Sequence, residues 1–96
     1  MTEAPTEAEI AKVLRSYLKD GRLMVMPRAG RKRSIVLDHL AQLFEPGVRY
    51  AEVDVNLTLR QVWPDVAALR RYLVDEGLLA RAEGQYWRVG GSVEIS

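Results

Sequence analysis

Ninety-six residues, 48% of them hydrophobic and 28% charged, with a net charge of +1, describe one globular domain with no room for a second core. The absence of cysteine excludes disulfides, iron–sulfur clusters and thiolate zinc sites. A chain of this length buries only roughly 60–65% of its unfolded surface, so a deep substrate cavity is not expected.

The start, Met1-Thr2-Glu3-Ala4-Pro5-Thr6-Glu7, is acidic and polar, unlike a secretory signal. No apolar run approaches the ~18 residues of a membrane span. A soluble cytoplasmic protein is expected, with no membrane partner. Residues 1–5 read as a tail. Thr6 is placed to cap a helix over 6–19, with Glu7 and Glu9 in its first turn. Ile10, Val13, Leu14, Tyr17 and Leu18 form its apolar stripe, and Asp20-Gly21 is expected to end it.

Arg22 to Pro27 reads as an extended segment, followed by a flexible basic stretch, Arg28-Ala29-Gly30-Arg31-Lys32-Arg33. Residues 21–33 carry Arg22, Arg28, Arg31, Lys32 and Arg33 and no acid, whereas 34–65 hold five acids against Arg49 and Arg60. Such a patch attracts an acidic partner while the whole protein stays near neutral. A second helix follows, with Ile35, Val36, Leu37, Leu40, Leu43 and Phe44 as a broad apolar face and Glu45-Pro46-Gly47 as its stop.

Segment 51–62 is ambiguous. Val53, Val55, Leu57 and Leu59 alternate with polar residues as in a strand, while a helix would group Ala51, Val55, Leu59 and Val62 on one face. On local pattern alone the strand is favoured. Trp63-Pro64-Asp65 then starts a helix over 65–76 that buries Val66, Leu69 and Leu73 and stops at Gly77. Leu78–Ala82 and Tyr86–Val89 flank Glu83-Gly84 as a β-hairpin, and 90–96 reads as a tail, leaving one domain over 6–89.

Specific residues carry a family resemblance. These are Asp20-Gly21-Arg22-Leu23, Pro27 and the basic cluster, then Phe44-Glu45-Pro46-Gly47, Tyr50, Val55-Asn56 and Leu59. The longest run is Asp65 with Leu69 to Leu79, followed by Arg81 and Tyr86-Trp87-Arg88. From Asp20 to about Val89 the chain resembles the bacterial domain-of-unknown-function family numbered two thousand and eighty-seven. The resemblance implies a winged helix-turn-helix, mainly α with a small β-hairpin, in which 51–62 is helical and the first helix is an extra element. It departs from the family at Ala51, where a capping Ser or Thr is usual, and at Ala80, where an acid is common. Relatives often carry this domain behind a separate DNA-binding regulator domain, which implies a transcriptional setting.

The function expected is nucleic-acid binding, chiefly of DNA and through phosphates, by Arg28, Arg31, Lys32, Arg33, Arg70, Arg71, Arg81 and Arg88. This needs those charges to share one surface. The helix 65–76 presents Ala67, Ala68, Arg71 and Asp75 outward, a thin set for reading bases. Tyr86 and Trp87 should face opposite sides of their strand. The alternative is a protein-interaction or homodimerisation module of a regulatory system, using the stripe of the first helix. No enzyme, cofactor or metal site is expected: Ser34, Asp38 and His39 lack triad spacing, because adjacent helical residues diverge by ~100°.

Overall fold

A computed structural model describes residues 3–92. The elements, in chain order, are α1 (Glu7–Tyr17), β1 (Leu18–Lys19), β2 (Arg22–Leu23), α2 (Arg31–Ala41), β3 (Arg49–Ala51), α3 (Glu52–Arg60), α4 (Val66–Asp75), β4 (Leu79–Ala82) and β5 (Gln85–Arg88). The result is a small α+β domain with two antiparallel sheets, one of order β1-β2 and one of order β3-β5-β4.

Thr6 caps α1 as expected, its hydroxyl accepting the Glu9 N–H at 3.1 Å. The helix stops at Tyr17 rather than at residue 19, because Asp20-Gly21 is a hairpin turn and not a helix terminator. Both residues have positive φ, 53° and 79°, the geometry whose twist suits a two-residue hairpin. Leu23 is consequently buried, and its N–H reaches the Val62 carbonyl at 2.9 Å. The apolar stripe of α1 packs inward: Val13 is buried, and Ile10, Leu14 and Tyr17 lie against the core beside α2.

The basic stretch is not a flexible arm throughout. Arg31, Lys32 and Arg33 are the first turn of α2 itself, which begins at Gly30 without a side-chain cap. Ile35, Val36, Leu37, Leu40 and Ala41 are buried, and the helix closes at Ala41, earlier than the Glu45-Pro46-Gly47 signal. Looser turns bring Phe44 into the core and leave Leu43 exposed, which removes Leu43 from the expected face.

Within segment 51–62, Glu52–Arg60 is the helix α3, so tertiary context overrides the alternating pattern, while Ala51 closes strand β3. Val55 and Leu59 are buried four residues apart, while Val53 and Leu57 are 63% and 54% exposed. The missing cap at Ala51 is compensated across the chain: the Glu52 N–H donates to the Gly84 carbonyl at 3.0 Å. Just before α3, Arg49–Ala51 forms a strand for which the sequence shows no pattern, pairing Arg49 with Trp87 and Tyr50 with Tyr86. Asp65 caps α4 through the Ala68 N–H at 3.1 Å, and Leu69 and Leu73 are buried. The β4–β5 hairpin turns at Glu83-Gly84, where φ is again positive at both residues, 53° and 76°. Beyond it, the Ser92 N–H donates to Asp38 Oδ1 at 2.7 Å, so residues 90–92 are tied to α2. Residues 1–2 and 93–96 of the expected tails lie outside the described residues.

Candidate nucleic-acid interface

The helical screw decides where the basic cluster points. Successive residues at the start of α2 diverge by ~100°, so Arg31, Lys32 and Arg33 cannot act from one direction. Arg31 faces α1. Its Nε and Nη2 meet the Glu9 carboxylate at 2.5 and 2.9 Å, and Nη1 donates to the Glu3 carbonyl at 2.9 Å. This pairing offsets the cost of a cation at an uncapped helix N-terminus. The Arg31 hydrogen bond holds the Glu9 carboxyl below its usual value, and the same contact raises Arg31.

A carboxyl depressed in the folded state contributes stability above its unfolded pKa and loses it as pH falls through the folded value. Thermal melts of wild type and Glu9→Gln should therefore differ slightly at neutral pH and converge as pH drops below the ordinary glutamate value of 4.5. A difference that persists undiminished at the acid end contradicts the pairing. The effect is small because the pair is open to solvent.

Arg33 turns the other way, toward α4. Its guanidinium carbon lies 4.3 Å from the centroid of the Tyr72 ring, with Nε buried against it. Arg71 reaches the same ring at 5.5 Å. One aromatic ring thus meets a cation from α2 and a cation from α4. Arg71 also lines, with Arg70 and Arg81, a depression of about 240 Å³ that includes Ala67, Val74 and Asp75. Arg33, Arg71 and Arg81, drawn from α2, α4 and β4, therefore lie along α4.

Other expected site residues are placed differently. Arg70 is half-buried, bonded to Asn56 Oδ1 and 3.9 Å from Glu52, so it braces α4 against α3. Arg88 donates to the carbonyls of Phe44, Gly90 and Ser92, stapling the end of the sheet to the chain on either side. Arg28 and Lys32 are exposed and line a separate depression beside Tyr17, Met26 and Pro27.

Tyr86 is buried, with its hydroxyl donating to Glu52 Oε1 at 3.0 Å, while Trp87 faces the opposite side of β5 under the Arg49 guanidinium, 4.2 Å from its centroid. The alternation foretold the two faces; the partner Arg49 was missed with β3. Tyr72, which gathers Arg33 and Arg71, was also missed as a site residue, and its only signal was its place on the flank of the buried stripe.

The Ser34 hydroxyl donates to the Glu76 carboxylate at 3.3 Å, and Asp38 takes the Ser92 N–H, so neither serves His39, which is exposed. Among the described residues, no cluster of three or more His, Asp or Glu is placed to hold a metal ion, and no helix is long and apolar enough to cross a membrane.

Residues 22–88 match the sequence profile of a family described as an uncharacterized protein conserved in bacteria. The matched region runs from β2 to β5 and leaves α1 outside it. No curated protein and no solved structure matches the chain.

Proposed function

We propose, from the premise that the chain belongs to DUF2087, an uncharacterized bacterial family, that it is a winged helix-turn-helix domain that binds duplex nucleic acid, DNA foremost, through phosphates. The order of elements supports the fold half of this reading. From α2 onward it runs helix, strand, helix, helix, strand, strand, with β3 joined to the last hairpin. In these terms α3 and α4 are the helix-turn-helix pair, linked through residues 61–65, and β4–β5 is the wing.

The observation that carries the binding half is the place of Arg71, beside Arg33 at the Tyr72 ring and beside Arg81 in the depression along α4. A guanidinium stacked on an aromatic ring can leave its terminal Nη groups free even where, as in Arg33, Nε is buried, and those groups match phosphate oxygens in pairs. The outward side of α4 offers Ala67 and Asp75 besides Arg71, so the duplex is recognised by backbone and shape more than by base edges. Arg31, Arg70 and Arg88 serve the fold instead, each held by side-chain hydrogen bonds within the domain. The alternative of a dimerisation module drew on the stripe of α1, which packs against its own core. No catalytic role is included in the proposal, and a transcriptional, cytoplasmic setting accompanies it.

A mobility-shift titration of a labelled duplex against salt tests the reading. With about three phosphates engaged, log affinity should fall against log salt with a slope of roughly −3. No shift at the lowest salt would remove the function.

A further inference from the structure

We infer that the cavity between α1, α2 and the two terminal segments is a binding site for a small organic ammonium ion with an apolar body. Its volume is about 700 Å³, within the range that holds small-molecule ligands. Such a space was not expected of so short a chain. It exists because α1 lies across α2 while the segments at Glu3–Pro5 and Ser92 wall its ends. Ile10 and Ile35 give it an apolar floor, and Ser34, Asp38, His39 and Gln42 line it from α2. This stripe belongs to the side of α2 that carries Arg31, away from Arg33 and Tyr72, so the site is independent of the nucleic-acid surface.

Charge selects the ligand. The one guanidinium in the wall, Arg31, is matched by Glu9 and has its remaining contact on the Glu3 carbonyl. The carboxylates of Asp38 and Glu3 remain in the wall, and the Arg88 guanidinium near Asp38 is bonded to the carbonyls of Phe44, Gly90 and Ser92. Asp38 is half-buried and accepts one N–H from Ser92, while a carboxylate has room for about four donors. An ammonium on Asp38 therefore gains a charge-assisted hydrogen bond, with the apolar body of the same molecule resting on Ile10 and Ile35.

Phenethylamine, its neutral analogue 2-phenylethanol and the anionic 3-phenylpropionate make the test, followed by amide chemical shifts of the full chain. Saturable shifts at Ser34, Asp38, His39, Gln42 and Ser92 are expected with the amine, weaker ones with the alcohol, and the weakest with the acid. Asp38→Asn, which keeps an acceptor for Ser92, should weaken the amine about tenfold and leave the alcohol unchanged. Gln42→Trp, at an exposed position of the wall, should block both without touching the core. The inference is overturned if the amine gives no saturable shift at millimolar concentration, if the acid binds as tightly, or if neither variant alters amine binding.

Discussion

Replacing Arg33, Arg71 and Arg81 together by glutamate is expected to abolish duplex binding at moderate salt and to weaken it by at least about a hundredfold at low salt. Each arginine that meets a phosphate releases roughly one counterion, so losing three contacts removes most of the salt dependence as well as the affinity. Single replacements by glutamine should each reduce the slope by about one. The decisive comparison is with arginines of equal formal charge whose donors are engaged inside the domain. Arg31→Gln breaks the pair with Glu9 and the contact with Glu3, yet should leave the salt slope where it was. If Arg31→Gln and Arg71→Gln reduced the slope equally, net charge alone would govern binding, and the surface along α4 would have no special role. Arg71 is the cleaner single test, because it is exposed and forms no hydrogen bond or ion pair among the described residues.

How far such a surface could be foreseen depends on the kind of interaction that builds it. Caps and turns are local: Thr6, Asp65 and Glu83-Gly84 are legible in sequence because their partners lie within four residues. Asp20-Gly21 shows the limit of that logic. The same dipeptide ends a helix or turns a hairpin, and the choice falls to Leu23, whose burial and bond to Val62 are tertiary. In α3 the alternation of Val53, Val55, Leu57 and Leu59 is real, but only Val55 and Leu59 find a core. Packing against α4 outweighs a local preference that is worth little per residue.

The charges were legible as residues and illegible as a surface. Eight basic side chains stood in the expected set, and nothing local separates Arg31, which meets Glu9 22 residues earlier in the chain, from Arg33, which lies on Tyr72. The helical period does say that the two diverge. What each then meets is fixed by the packing of α1 and α4 against α2, and that packing is long-range. Strand β3 escaped for a related reason: three residues carry too short an alternation to register, and their pairing with β5 spans more than thirty positions.

Tyr86→Ala is expected to be the most damaging single change in the β-sheet. The ring is among the largest fully buried side chains, and it sits on the central strand between Tyr50 on β3 and Arg81 on β4. Truncating such a residue costs about 3–5 kcal/mol, set against a total stability of roughly 5–14 kcal/mol for a chain of this size. Chemical denaturation should show this as a lowered midpoint, and a thermal melt as a fall of roughly 15–30 °C. Tyr86→Phe separates the two parts of the side chain. It keeps the ring and removes only the hydroxyl bond to Glu52 Oε1, whose carboxylate is nearly half exposed and can turn to water. That change should cost about 0.5–1.5 kcal/mol. A Phe variant as unstable as the Ala variant would mean that the bond to Glu52 holds α3 on the sheet. An Ala variant as stable as wild type would mean that β5 contributes no core. Because Arg81 is carried by the same strand pairing, loss of the ring should also loosen the cation that β4 contributes beside α4, linking sheet stability to the binding surface.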